Sequence, residues 1–524
     1  MNARGRIAKS AGIMSVATLI SRILGYVKDM ILARYFGATG ISDTFFVAFR
    51  IPNLLRELFA EGSMSSAFIP VLTEHQTKHG ALEAKRLVNI AFTFILIFVG
   101  LFCVLGIIFA PQIVSIIAPG FLKDAGKFSQ TVLLTRLMFP FLLFISLAAL
   151  VMGALNVRRV FFVPALAPAM LNVTIIVSVL LLVPVMEQPI IAVAMGVAFG
   201  GLAQLAFQLP SFLRKDYDLR LTSQFGHPGL KKMALLIMPA TMGMAVAQVN
   251  IFISTILASF LAQGSITYLY YSMRLTQFPI GIFGVAMGMA ALPALSEHAV
   301  KGDMEKLRDD FSFALRLLFF ITVPAMAGLI ALREPIVNIL FQRGAFDYSA
   351  TVGTADALLF YSLGIWAIVG VRIVTATFYS LNDTKTPVKI AVAAMTINIV
   401  MSLILMGPLK HSGLAFANAI ASGVNFILLF FFLRNKLGRI DGRRIMKSFA
   451  RIAIASMVMG LAGWSMLRGE IWTASEKTLE KALYLSGAIM ICLCIYLVIS
   501  FLLKGDEINY LYEKIKSRLN RKGA

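Results

Sequence analysis

The chain has 524 residues, 59% of them hydrophobic and 14% charged, with a formal net charge of +22. Apolar stretches of about 20 residues, each long enough to cross ~30 Å of hydrocarbon, recur to the C-terminus and exclude an ordinary soluble enzyme. The charge is no nucleic-acid footprint either, because most of it sits between those stretches, where it sets membrane orientation.

In chain order the apolar runs are 11–33, 42–70 (broken), 87–110, 129–155, 160–183, 189–213, 233–263, 266–295, 311–332, 351–380, 386–409, 412–433, 448–467 and 482–503. Fourteen runs predict an all-α polytopic membrane protein. The first is too long and too interrupted by charge for a cleaved signal peptide, and no small-residue cleavage site follows it. With the N-terminus inside, Lys and Arg in the cytoplasmic connections outnumber those in the external ones by more than three to one. That bias predicts that both termini are cytoplasmic. The basic end "KIKSRLNRKGA" (514–524) would then face the anionic lipids of the inner leaflet. Cys103, Cys492 and Cys494 all lie in apolar runs and read as small fillers.

The chain repeats itself at a spacing of about 223 residues. "PVLTEH" (70–75) returns as "PALSEH" (293–298), and "IVSII" (113–117) as "IVNIL" (336–340). Asn156 and Asn172 recur at a spacing of 226 as Asn382 and Asn398. The offset spans six runs, an even number, so the two copies have the same orientation, a parallel repeat of the kind transporters use. The predicted organisation is an N-terminal lobe (1–213), a C-terminal lobe (214–434), an extra pair of helices (435–503) and a basic cytoplasmic tail (504–524). Two like-oriented lobes with a seam predict alternating access. Gly196/Gly200 and Gly284/Gly288 have helix-packing spacing.

Ten cations lie inside the apolar runs. In "SRILGYVKDM" (21–30), Arg22 and Asp29 are seven residues apart, on one helix face and roughly 10 Å apart along the axis. Thr18 and Ser15 continue that stripe, and Lys28 projects to one side. The second run carries Asp43, Arg50, Arg56 and Glu57, with Pro52 predicted to kink it. The run "YYSMRLTQFPIGIFG" (270–284) carries Arg274, with no acid within a turn and Pro279 five residues on. A cation at mid-membrane costs roughly 2.5–3.5 kcal/mol on insertion scales and usually faces a wet interior. Arg22, Lys28, Arg50, Arg56 and Arg274 against Asp29, Asp43 and Glu57 leave a surplus of positive charge, which suits an anion, and arginine's planar fork suits phosphate. Arg136, Arg316 and Arg451 read as ion pairs or snorkelling side chains.

Catalysis finds little support, and the chain does not read as an enzyme. All five histidines fall in predicted loops; His75 and His79 have the i,i+4 spacing of metal ligands but read more simply as a solvated helix end. "GFLKDAGKF" (120–128) has the wrong spacing for a phosphate loop. With no nucleotide site and no cofactor motif, energy has to come from the membrane potential, a monovalent cation gradient or a partner.

"SRILGYVKDMILARYFGA", "SDTFFVAFRIPNLLRELFAEG", "YYSMRLTQFPIGIFGVAMG" and "FYSLNDTKTPVKIA" together resemble the MurJ (MviN) lipid II flippase family of the multidrug/oligosaccharidyl-lipid/polysaccharide exporter superfamily. The resemblance runs from about residue 8 to the C-terminus. It implies fourteen helices, two six-helix lobes and an extra helix pair forming a groove for a polyprenyl tail, in a bacterial inner membrane. It also implies the substrate, lipid II, the undecaprenyl-diphosphate-linked disaccharide–pentapeptide of peptidoglycan, with membrane lipids and the cell-wall synthesis machinery as partners. By the same resemblance Arg22, Asp29, Asp43, Arg56 and Arg274 bind substrate, with Ser21 and Asn172 as weaker matches. Lys28 stands where many members have arginine, and Met273 and Gln277 where some have acids. The sodium site of some members has no residue-by-residue match here.

An exporter of another lipid-linked glycan or of a drug is the alternative, although drug exporters handle cations and call for lone cavity acids. A membrane glycosyltransferase would need a catalytic acid on a substantial loop. A twelve-helix facilitator would carry a Gly-Asp-Arg-rich loop where this chain has "EHQTKHGALEAKR" (74–86). A scaffold would not need mid-membrane arginines.

Overall fold

In the computed structural model, residues 3–57, 63–438, 440–467, 469–473, 478–510 and 512–513 are described. The basic stretch 514–524 lies outside them. Two compact units divide the chain, Met1–Ile266 and Thr267–Ala524.

The first unit contains α1 (Ala3–Phe36), α2 (Gly40–Arg56), α3 (Ser63–Ile108), α4 (Ala110–Ile117), α5 (Ala125–Met138), α6 (Pro140–Val157), α7 (Phe162–Leu182), α8 (Pro189–Leu213) and α9 (Pro228–Ser259). α3 is two helices joined at Gly80, whose φ of 85° and ψ of −179° only glycine adopts easily. Asp124 caps α5 by accepting from the Lys127 amide at 3.0 Å, which satisfies one of the orphan donors of the first turn. α7 packs along α8, and α6 lies against α3 and α8. A Cβ on Gly196 would sit 2.9 Å from the Ile175 Cα, and one on Gly200 2.5 Å from a Leu171 methyl. The glycine pair therefore sets how closely α7 and α8 approach. α9, which opens the second repeat in sequence order, packs against α3 and α4.

The second unit contains α10 (Ser265–Pro279, its first two residues on the boundary), α11 (Val285–Lys301), α12 (Met304–Ala331), α13 (Arg333–Phe341), α14 (Tyr348–Ser362), α15 (Ile365–Ser380), α16 (Lys385–Leu437), α17 (Gly442–Met466) and α18 (Thr478–Leu502). A π-type turn over Ile280–Gly284 follows Pro279 and links α10 to α11. Proline has no amide hydrogen to give the preceding turn, and the extra residue in the winding absorbs that loss. α16 breaks at Lys410 (φ 51°, ψ −131°), two residues after Pro408. α12 is central, with Phe311, Leu315, Leu318 and Phe319 buried among residues of α15, α16 and α17. In hydrocarbon such burial is rewarded by close van der Waals packing, because lipid tails are as apolar as the side chains.

The all-helical architecture agrees with the sequence. Ten helical stretches among the described residues are long and apolar enough to cross a membrane. One of them, Lys385–Leu437, contains two apolar runs separated at Lys410. Runs 11–33, 42–70 and 233–263 fall on α1, on α2 with the start of α3, and on α9. Each of the fourteen runs thus falls mainly on helix where described.

The repeat is visible in the backbone punctuation. α4 and α13 are short helices containing "IVSII" and "IVNIL". Asp124 caps α5 and Asp347 caps α14, again 223 residues apart. Arg159 (φ 60°) and Asn382 (φ 58°), at the same spacing, turn the chain in the left-handed region before α7 and α16. The histidines depart from expectation. His75 and His79 lie in α3, His298 in α11 and His411 in α16, and His227 caps α9. Polar residues at helix ends look like loops when only hydropathy is weighed.

Candidate functional site

In the first unit the expected site residues fall into two groups, on α1 and on α2. On α1, which packs along α7, Arg22 is half-buried and, among the described residues, makes no hydrogen bond or ion pair. The preceding carbonyl, that of Ser21, accepts from the Asn172 side-chain amide at 3.2 Å, so these two weaker candidates meet and fasten α1 to α7 beside Arg22. Two turns on, the Lys28 ammonium is 3.0 Å from the Asp29 carboxylate, with the two side chains only 9% and 0% exposed. Lys28 therefore folds back onto its neighbour. A buried pair of this kind survives because each charge compensates the other's desolvation.

On α2, Asp43 is buried and accepts from the Gly264 amide at 2.7 Å. Gly264 has a φ of 86°, so this carboxylate holds the tight turn that precedes α10. Arg50 donates to the Thr255 hydroxyl of α9 at 3.0 Å. Below Pro52 the side chains form a chain of contacts. Arg56 donates to the Asn53 side-chain oxygen at 3.1 Å and lies 3.8 Å from Glu57, and Glu57 accepts from Gln248 of α9 at 2.7 Å. Arg56 thus has partners on its own helix, which the sequence reading had not assigned to it. Its engagement presets the direction of the guanidinium.

In the second unit, Arg274 is half-buried on α10, ahead of the π-type turn. Sequence reasoning missed Arg372 on α15. Its exposed side chain runs past Gly284, where a Cβ would sit 3.4 Å from the arginine Cδ, and among the described residues it makes no hydrogen bond or ion pair. The available signal was its place among the ten cations inside apolar runs.

Three other intramembrane cations are structural. Arg316 is 4% exposed and donates to Glu507 at 2.7 Å and Asp506 at 3.2 Å. Arg136 donates to the Ile107 carbonyl and Arg451 to the Lys504 carbonyl. Outside the spans, the Asn89 amide holds the Asp218 carboxyl below its usual range, with Lys85 adding to the effect. Hydrogen bonding from Lys436 and the Thr386 amide brings Asp383 down to about 2.

Half-buried arginines in bundles of apolar helices define a multi-pass membrane protein of transporter type. The fold is similar to that of a solved MATE-family multidrug resistance transporter of the MOP superfamily (TM-score 0.68, 13% identity, 82% of this chain and 99% of that one). It is also similar to a structure described as lipid II flippase MurJ in an inward closed conformation (TM-score 0.78, 26% identity, 94% and 99% covered). The family described as lipid II flippase MurJ matches residues 32–475. A probable lipid II flippase MurJ of Vibrio cholerae is 36% identical over 506 residues, covering 95% of this chain and 96% of that one. The lipid II flippase MurJ of Burkholderia cenocepacia is 33% identical over 485 residues, covering 91% and 94%. The chain belongs to the lipid II flippase MurJ family.

Proposed function

We propose that this protein is a lipid II flippase of the bacterial inner membrane. It moves undecaprenyl-diphosphate-linked disaccharide–pentapeptide from the cytoplasmic to the outer leaflet. The observation that carries this reading is family membership over nearly the whole chain, joined to a half-buried Arg22 with no protein partner among the described residues. An unsatisfied guanidinium in a membrane helix is costly unless water or an anion meets it, and a diphosphate offers the oxygens its fork requires.

In this reading Arg22, Lys28, Asp29, Asp43 and Arg56 of the first unit, with Ser21 and Asn172, serve the head group, as does Arg274 of the second. Their roles differ. Arg22 contacts the diphosphate, and Asn172 holds α1 in place through the Ser21 carbonyl. Asp29 moderates the positive charge through Lys28, and Asp43 keeps the turn before α10. Segments 1–213 and 214–434 act as the lobes of an alternating-access cycle, and 435–503 serves the polyprenyl tail. Both termini are cytoplasmic, so the basic end 514–524 faces the anionic leaflet. The work is transport; no bond of the substrate is broken.

The head group is an anion leaving a compartment that is electrically negative. A unit charge crossing the full field gains about 2.3 kcal/mol per 100 mV, so the potential drives export in this account. The test is the amount of lipid II exposed on the outer face of cells that depend on this protein, under a potassium–valinomycin clamp and, separately, under collapse of ΔpH. Exposure should stop with the clamp. Exposure that persists under the clamp and stops with ΔpH would contradict the electrical account, whereas accumulation of a different lipid-linked precursor on depletion would contradict the substrate.

A further inference from the structure

At the break in α3, residues remote in sequence come together. His75 lies in the last turns before Gly80, and Glu83 in the first turn after it. His227, about 150 positions away, stands at the N-terminus of α9, where its Nδ1 accepts from the Gly229 amide at 3.1 Å. That bond leaves the proton on Nε2, which lies 2.7 Å from the Glu83 carboxylate and donates to it. The rings of His75 and His227 are 5.4 Å apart, and the ring of His79 is 5.3 Å from that of His75. One donor atom from each of His75, Glu83 and His227 lies within 4.8 Å of the other two.

Two details point past a simple helix cap. The His75 Nδ1 is buried and, among the described residues, makes no hydrogen bond. Gly229 also leaves room for both rings, since a Cβ there would be 2.9 Å from the His75 Nε2 and 3.0 Å from the His227 Nδ1. Several of the surrounding charges are already paired. Glu74 is bonded to Lys232 and Lys78, and Arg86 lies 3.5 Å from the second oxygen of Glu83. Lys232 and Lys78 are thereby held on Glu74, which tempers their repulsion of a cation.

From this arrangement we propose that His75, Glu83 and His227 form a binding site for a divalent transition metal of the zinc class. Two imidazoles and a carboxylate are a familiar donor set for such an ion, with Zn–N and Zn–O distances of about 2.0–2.2 Å. Donors no more than 4.8 Å apart reach those distances by small side-chain rotations. The cation takes the place of the proton between His227 and Glu83. That same ring proton moves to Nδ1 by tautomerisation, so the Gly229 amide loses its acceptor and metal binding exchanges the helix cap for a metal bond. His79, one turn from His75 with its ring 5.3 Å away, lies outside that donor set. Bound metal would staple both halves of the broken α3 to the start of α9. The second repeat has His298 at the position of His75 but pairs it with Asp310 alone at 3.3 Å, so the site belongs to the first copy.

The test is Co2+ titration of the full-length protein, purified without a histidine tag and stripped with chelator, followed by displacement with Zn2+. The wild type should take up a single equivalent with the visible absorption of a low-coordinate cobalt site. His75→Gln and Glu83→Gln should each weaken uptake by about tenfold or more, and His298→Gln should not change it. Metal should also raise the melting temperature of the wild type but not of His75→Gln, which keeps the His227 cap and folds without metal. A wild-type chain that binds Co2+ no better than the His75→Gln/Glu83→Gln double variant overturns the proposal, as does an equal loss in His298→Gln.

Discussion

The second half of α3 and the helix α12 occupy the same place in the two repeats, and they hold their neighbours by different chemistry. On α3, neutral groups supplement one partly exposed ion pair, Lys85 with Asp218 at 3.1 Å. Asn89 donates to Asp218 and accepts from the Arg220 amide, and the Thr93 hydroxyl accepts from the Thr222 amide, which pins the connection before α9. In α12 the residues 223 positions on are Ser312 and Arg316. The Ser312 hydroxyl has no partner among the described residues, while Arg316 reaches Glu507 and Asp506 beyond α18. Duplication therefore preserved the packing helix, its flanking caps and its turns. The polar fastening changed with the segment being fastened, an extended loop in one case and an added helix pair in the other.

Breaking the charged fastening should have the larger effect. Arg316→Ala strands a buried Glu507, and removing one partner of a buried pair costs about 3–5 kcal/mol. We expect sharply reduced membrane abundance and melting temperature, while Thr93→Val, which removes a single neutral acceptor, should cost only about 1 kcal/mol. Equal losses in the two variants, read by thermal melting in detergent, would remove the distinction between the copies.

A smaller, pH-dependent difference is expected at the turn shared by Arg159 and Asn382. Only the second copy follows it with an acid, Asp383, bonded to Lys436 at 2.7 Å and to the Thr386 amide at 3.0 Å. Its pKa is depressed from 3.8 to about 2. The carboxylate therefore adds stability above its ordinary pKa, and that stability is lost as pH falls from about 4 towards 2. Asp383→Asn should lower the melting temperature slightly at neutral pH and flatten its fall across that acid window. An unchanged acid limb in the variant would show that the bond to Lys436 carries no net stability.

Hydropathy was enough to place the spanning helices, because twenty apolar residues in a row have few alternatives to crossing a bilayer. The short helices α4 and α13 escaped it. At 8 and 9 residues they are too short to span, and their sequence signal was the shared "IV" motif, read as a repeat marker and not as an element. On α1 the charged residues were legible from their cost in a membrane. What spacing could not give was the set of partners. The Lys28 ammonium turns back to Asp29, Asp43 holds the Gly264 amide, and Asn53 takes the Arg56 guanidinium, all through side-chain directions that a helical wheel leaves open. The His227 contact with Glu83 joins residues 144 positions apart and has no local signal at all.

Among these cations, Arg22 separates a substrate contact from a structural one most cleanly, since it lies beside the Asn172 fastening and has no described partner of its own. The decisive measurement is lipid II exposed on the outer face of cells whose only flippase is the Arg22→Ala variant, with its membrane abundance measured in parallel. The account predicts near-complete loss of exposure at wild-type abundance, with lipid II retained on the inner face. Wild-type exposure from a fully expressed Arg22→Ala protein would contradict it.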